Sequence, residues 1–421
     1  MIGVKSATIS VKRIKTLKGS RVHTVIVGGG FAGVKAALEL AKKNIGKVTL
    51  VSDEPYFLHH ATLYATATGR SKSESVIPLE SIFKNHSNVM VVQDRMISLD
   101  PDRKLVVGKK KSYQYDTLII AIGVVTTYFG IDGMQQHSFG IKTLEDVQKF
   151  NNHLHTELVA DKHLDKNYVI IGAGPTGVEL AGALKTYLSD IAKAHHIRRA
   201  KVNITLVEAA PRILPRSSQT ASRKVQRQLE KIGVKVLTNH KVEALSNDYI
   251  TIDGKKTATE TAIWTSGVTN HPFFSEHTDY FHTAPNRRVE VNQYLEAYRD
   301  IYVLGDNANT QHTGLAWTAL RDAQFIADHL ARKVAGKPLK ARHSRSPMSG
   351  IPVTDTWAYV EWGGMYADGR VGSWMRRLIE LRGYRMLLPA HQAKKAWRAH
   401  FVREEQCDLC KSLQIQTVVK T

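Results

Sequence analysis

The chain has 421 residues, too many for one ordinary compact domain, so two or three domains with substantial cores are expected. Hydrophobic residues at 43% and charged residues at 23% argue against long-range disorder. A net charge of +21 is consistent with a nucleic-acid surface, an anionic membrane surface, an acidic substrate or a generally basic proteome; composition does not choose among them.

The basic stretch 1–20 lacks a continuous apolar core and does not read as a signal peptide. No window approaches the roughly 18 to 20 apolar residues that a membrane span needs. The only cysteines are Cys407 and Cys410, which excludes a secreted disulfide framework and makes a reducing compartment the default.

In chain order, an apolar run at 22–27 (VHTVIV) leads into GGGFAG, then into a helically spaced segment and a second apolar run at 47–51. The order recurs: 168–171 (YVII), GAGPTG, a helical segment, then 201–207 (KVNITLV). Strand, glycine turn, helix and strand therefore occur twice, which is a duplicated supersecondary unit. Apolar strands ending in small residues follow at 115–123 (YDTLIIAIG), 261–268 (TAIWTSGV) and 299–308 (RDIYVLGDNA). The expected fold is α/β, with two Rossmann-like, three-layer ββα dinucleotide-binding domains. The first spans 21–138 and 285–335, and the second, at 139–284, is inserted into it. Beyond a Pro/Gly/Ser-rich linker, 346–421 reads as an amphipathic helical region.

In Gly28-x-Gly30-x-x-Gly33 the first glycine permits a tight turn, the second lets a pyrophosphate approach the backbone, and the third allows close helix–strand packing. Gly172-x-Gly174-x-x-Gly177 repeats the pattern. With Phe31, Ala32 and Thr176 inside the turns, these residues are expected to line two cofactor sites. Glu208, ending the second strand of the second unit, can accept hydrogen bonds from a ribose diol and repel a 2′-phosphate, which favours NADH over NADPH. At the matching place in the first unit stands Ser52, followed by Asp53. Ser52 can bond a ribose; Asp53 is either a ribose partner shifted by one residue or a plain surface residue.

These residues resemble the type II NADH dehydrogenases (NADH:quinone oxidoreductases) among the flavin-dependent pyridine-nucleotide oxidoreductases. PYFLHHATLYATATG (55–69) is the most specific stretch, and the likeness covers about 21–330. The resemblance implies FAD on the first unit and NADH on the second. It places Ala121 and Gly123 beside the FAD, and Asp306 of VLGDNA on its ribityl or pyrophosphate region. It places Gly267, near Trp264, at the end of the inserted domain, and Glu179 at the nicotinamide–flavin junction. A carboxylate there can orient the nicotinamide or manage a proton; otherwise Glu179 is an amphipathic-helix residue favoured by the helix N-terminus. The family carries an Ala-Gln-x-Ala-x-Gln pattern after the late Gly-Asp. Here Ala316 is kept, with its neighbouring amides able to bond the flavin, but Trp317 and Arg321 stand at the glutamine positions. A Trp can stack on a quinone and an Arg can stabilise a reduced one, or both are packing and surface residues.

Relatives on this plan relay electrons through cysteines, yet residues 1–406 contain none. Direct hydride transfer from NADH to the flavin remains, followed by transfer to a separate acceptor. Cys407-x-x-Cys410 is an incidental tail pair, a redox dithiol or half of a metal site. The adjacent histidines at 59–60 and 195–196 point apart, and no metal is expected. In the tail, Val371, Trp374, Met375, Leu378 and Ile379 share one helical face, with Arg376, Arg377 and Glu380 elsewhere. This is either a membrane-lying helix, bound to an anionic surface through Arg and Trp, or a helix docked on protein. No nucleic-acid module is present. The resulting expectation is a non-pumping NADH:quinone oxidoreductase, with membrane quinone as partner. It is expected as a homodimer on the cytoplasmic face of the cell membrane. The alternatives are a soluble flavin reductase using a protein or oxygen acceptor, and a flavin- and NADH-binding regulatory protein.

Overall fold

A computed structural model describes residues 22–157, 165–194, 196 and 201–404. The basic N-terminal stretch, His195, Cys407 and Cys410 lie outside the described residues.

Two parallel sheets organise the chain. In the first, the strand order is Glu296–Tyr298, Ile301–Val303, Thr117–Ile120, Val22–Val27, Gly46–Ser52, Val89–Gln93, all parallel except the first pair. These strands are near-continuous β-branched and aliphatic runs because both faces are covered. Ile26 and Leu50 pack under the helices Phe31–Lys43 and Ala316–Val334. Val25, Val27 and Val51 pack under an antiparallel meander (Met96–Asp100, Leu105–Gly108, Ser112–Gln114).

The second sheet, Val234–Thr238, Lys201–Glu208, Asp165–Ile171, Thr261–Trp264, is wholly parallel. Helices Leu144–His155, Pro175–Ala194 and Gln219–Lys231 cover one face. A meander of Val242–Leu245, Tyr249–Ile252 and Lys255–Ala258 covers the other. Each unit is thus meander, parallel sheet and helices, three layers around a shared architecture. The first sheet takes strands from before residue 121 and after 295, and the second takes those between. A two-stranded ribbon, Val124–Thr126 against Val268–Asn270, ties the two units together.

The C-terminal region departs from the expected run of helices. Residues 349–367 form a three-stranded antiparallel sheet (Ser349–Thr354, Trp357–Trp362, Met365–Ala367) before helices Gly369–Leu387 and Ala390–Ala399. The sheet sits hard against the Pro175–Ala194 helix: a Cβ on Gly182 would stand 1.8 Å from the Val353 carbonyl oxygen. Only a residue without a side chain permits that approach.

Candidate active site

The two glycine turns have the same steric logic. Gly28 has φ +116°, and a Cβ there would meet the Ala121 carbonyl oxygen at 2.1 Å. A Cβ on Gly33 would meet the Gly28 carbonyl oxygen at 1.9 Å. In the second turn Gly172 has φ +103° with Ser266 Oγ at 1.8 Å from its notional Cβ, and Gly177 would strike Gly172 O at 1.9 Å. By contrast, a Cβ on Gly30 or Gly174 would meet no described atom within 4 Å. The first and third glycines are demanded by the protein's own backbone; the second faces open space, where a ligand would stand. The Phe31–Lys43 helix has no side-chain cap at its N-terminus. Its first amides are available to a phosphate. These features fit a dinucleotide pyrophosphate.

The first site is completed by residues far apart in sequence. Gly305, at φ +63°, packs so that a Cβ would lie 3.3 Å from Ala32 and 3.5 Å from Ala319. This draws Asp306 and the start of the Ala316–Val334 helix to the start of the Phe31–Lys43 helix. The Asp306 main-chain carbonyl accepts from Arg288 Nη1 at 2.5 Å, which fixes the turn. Asn307 is fully buried; its amide donates to Gly123 O at 2.6 Å and to Asn270 Oδ1 at 2.7 Å, and its Oδ1 accepts from Gly123 N at 2.8 Å. One side chain thus locks the Ala121–Gly123 turn, the Gly-Asp turn and the interdomain ribbon. Sequence reading passed over Asn307, although it is adjacent to Asp306; a local motif does not show that a side chain will bridge three segments. Phe31 packs edge-on against Phe57 at 5.0 Å and His59 at 5.1 Å.

Ser52 is buried beneath Gly29, and its hydroxyl donates to the Glu54 carbonyl at 2.8 Å. Asp53 is exposed, with Arg95 at 3.5 Å. In the second unit Glu208 accepts from Ala173 N at 2.7 Å and Ala210 N at 2.9 Å, so it staples the glycine turn to the strand end. Each carboxylate oxygen keeps acceptor capacity beyond those bonds. Gly267, at φ +69°, lies against Thr127 O, which also accepts from Trp264 Nε1 at 3.1 Å. Thr176 is exposed on the first turn of the Pro175–Ala194 helix. Trp317 and Arg321 line a groove of about 910 Å³ along the Ala316–Val334 helix, shared with Phe325 and Arg345.

Glu179 is buried, and among the described residues its carboxylate makes no hydrogen bond or ion pair. Burial pushes it up to about 8, opposed by the positive charge of Arg376 and reinforced by Glu380. Arg376 and Arg377 are not the outward basic face the helical pattern suggested. Their side chains are 11% and 13% exposed, and Arg377 binds Glu380 and the Trp397 carbonyl. The outward residues of this helix include Val371 and Trp374, 62% and 64% exposed, Leu378, and the arginines Arg370, Arg382 and Arg385. Its inward side carries Arg376, Arg377 and Glu380 beside Tyr384 and Leu387, and its outward side mixes apolar residues with arginine. Periodicity gives a stripe but not which way the stripe faces.

Among the described residues, no group of three His, Cys, Asp or Glu could hold a metal ion, and no helix is long and apolar enough to cross a membrane.

Two dinucleotide turns on nested ββα units define an oxidoreductase that brings two nucleotide cofactors together. The chain belongs to the pyridine nucleotide-disulphide oxidoreductase family, whose profile matches residues 22–323. It is 29% identical over 400 residues to a type II NADH:quinone oxidoreductase of Staphylococcus aureus, covering 86% of this chain and 95% of that one. Its fold is similar to that of NDH2 from Plasmodium falciparum in complex with NADH (TM-score 0.81, 16% identity), covering 91% of this chain and 98% of that one. It is also similar to the sulfide:quinone oxidoreductase of Aquifex aeolicus (TM-score 0.74, 20% identity), with 90% and 91% covered.

Proposed function

We propose that this chain is an FAD-dependent NADH:quinone oxidoreductase that translocates no protons. The observation that carries the reading is the pair of identical glycine frames, each with an open second position, in a chain lacking cysteine before position 407. Its similarity to the type II enzyme of S. aureus supports the acceptor. Bound FAD supplies an acceptor for the hydride of NADH and a donor of two electrons to the quinone.

The chain's own residues hold and screen the reactants. Gly28, Gly30 and Gly33, with Phe31, Ala32, Ser52, Ala121, Gly123, Asp306 and the amides near Ala316, would hold FAD; Asp53 contributes at most from the surface. Gly172, Gly174, Thr176, Gly177, Glu208 and Gly267 would hold NADH. The Glu208 carboxylate favours a ribose diol and repels a 2′-phosphate. Glu179, kept protonated by burial at neutral pH, holds a proton beside the nicotinamide position. Trp317 and Arg321 would meet the quinone from their groove. The chain partition, 21–138 with 285–335 for FAD, 139–284 for NADH and 346–421 for the membrane, belongs to the same proposal.

Membrane attachment is supported by the outward apolar residues Trp362, Met365, Val371, Trp374 and Leu378, flanked by exposed Arg370, Arg382 and Arg385. Homodimer formation and a cytoplasmic-face location complete the reading and rest on the resemblance alone. The test is NADH oxidation with a soluble quinone, with and without anionic vesicles. A quinone-dependent rate is expected; its absence sinks the reading. Trp374→Glu should release the protein from vesicles while leaving the rate with soluble quinone unchanged.

A further inference from the structure

The second glycine turn is short of positive charge. Residues 172–177 include no lysine or arginine, and the side chain bonded to the turn is the carboxylate of Glu208. A dinucleotide seated there brings a charged diphosphate, to which main-chain amides offer only partial charges.

A cation stands beside the turn on a loop shaped to present it. Leu214 N donates to Ala173 O at 2.8 Å, which seats residues 211–217 on the turn. Arg212 fixes the loop from within, its Nη1 donating to the Leu214 carbonyl at 3.1 Å and its Nη2 to the Pro215 carbonyl at 2.7 Å. The next residue is Arg216, which is exposed. It reaches out of the second unit to the Thr313 carbonyl of the first, a long contact at 3.5 Å.

From the first unit comes Arg288, half-buried. Its Nη1 donates to the Asp306 carbonyl and to the hydroxyl of buried Thr313, which in turn donates to Gly305 O at 3.2 Å. Those bonds fix one edge of the guanidinium. Among the described residues, Arg288 Nη2 and Arg216 Nη1 make no hydrogen bond.

Both free ends converge on Gly314, an exposed glycine at φ +90°. A Cβ there would lie 3.5 Å from Arg216 Nη1 and 3.6 Å from Arg288 Nη2, with nothing else within 4 Å beyond its chain neighbours. The two nitrogens are therefore at most about 7 Å apart, a gap that one phosphate spans with an oxygen on each. Neither arginine forms an ion pair among the described residues. Burial and Arg216 both work against the charge of Arg288, and the field of Asp306 favours it. Two like charges drawn together from separate units, each with an unused donor edge, make a place for an anion. Guanidinium forks match phosphate oxygens.

We propose that Arg216 and Arg288 form a clamp across the two units that takes the diphosphate of NADH as the cofactor settles on the second glycine turn. The inference rests on the reading of that turn as the NADH site. The open position at Gly174 leaves the diphosphate room beside the loop that carries Arg216. Because one arginine comes from each unit, a bound cofactor also ties the units together.

The alternative is that the pair only latches the units through Thr313. Arg216→Gln in the flavin-loaded protein separates the readings, with Arg223→Gln as a control that removes the same charge from an exposed helix position of the same unit. Calorimetric titration with ADP-ribose and with inorganic pyrophosphate measures binding without any turnover. Both ligands should bind about tenfold more weakly to Arg216→Gln, and the KM for NADH should rise by a similar factor. The kcat and the flavin content should stay at the parent's values. Arg216→Lys should recover part of the loss, since a lysine keeps the charge but not the fork. Arg223→Gln should bind both ligands as the parent does. Equal weakening in Arg216→Gln and Arg223→Gln would reduce the effect to general charge and overturn the clamp. Loss of flavin, or a lower kcat with unchanged pyrophosphate and ADP-ribose binding, would overturn it as well. If the chain reduces no quinone yet Arg216→Gln still binds ADP-ribose more weakly, the acceptor reading fails and the clamp stands.

Discussion

The two glycine-turn helices place a charged residue at the same point, two positions after the third glycine, and treat it in opposite ways. In the first unit it is Lys35, buried but fully matched: its ammonium lies 2.6 Å from Glu39 and donates to the Met386 carbonyl at 2.9 Å. In the second it is Glu179, also buried, with no hydrogen bond or ion pair among the described residues and only the field of Arg376 to steady its charge. A matched buried charge fastens one helix to its neighbours, whereas an unmatched one keeps a proton that can be given up. The same frame therefore serves as scaffold in the half expected to hold FAD and leaves an acid free for the proposed chemistry in the half expected to admit NADH.

The largest effects should come from the open glycines. Gly30→Val adds atoms into space that no described residue fills, so the fold survives while FAD does not bind; purified protein should be colourless and inactive, with an unaltered circular dichroism spectrum. Gly174→Val should keep its flavin and raise the KM for NADH at least about tenfold, a loss of roughly 1.4 kcal/mol. If both variants lose flavin equally, the two units are not the separate sites described.

Smaller effects should separate the two helix charges by sign. Lys35→Met leaves Glu39 with only Lys42, at 3.4 Å, and a main-chain carbonyl without its donor, and should destabilise by about 1–3 kcal/mol in denaturant unfolding. Glu179→Gln should do the reverse. The folded pKa of about 8 lies above the ordinary 4.5. The stability from the bound proton is fully present below about 4.5 and is lost as pH rises through about 8. The glutamine has no such loss, so its melting temperature should equal the parent's in acid and exceed it by a widening margin toward pH 8. A parallel offset at every pH would contradict the burial argument.

Much of this was legible in the sequence where the backbone itself sets the rule. A positive φ at Gly28 and Gly172, and the helix–strand approach at Gly33 and Gly177, can be met only by glycine, so the turns announce themselves. What escaped were features that depend on which distant surface a residue meets. The 349–367 sheet begins in the Ser/Pro/Gly-rich linker and continues through residues read as part of a helical region. Arg376 and Arg377 sit on a helix whose period was plain, with Glu380 beside them, but whose orientation depends on Glu74 and Trp397, neither of them signalled by the local pattern. The Trp317 and Arg321 departures were visible, but not that they would border a groove shared with residues 340–345.

The central claim is that electrons pass from NADH to the acceptor without a thiol. Cys407 and Cys410 are the only thiols in the chain. Anaerobic mixing of the Cys407→Ser, Cys410→Ser double variant, first with NADH and then with quinone, tests this most directly. The account predicts full bleaching of the flavin by NADH and full recovery by quinone, both at the rates of the parent protein. Failure of either step in a variant that retains its flavin would contradict it.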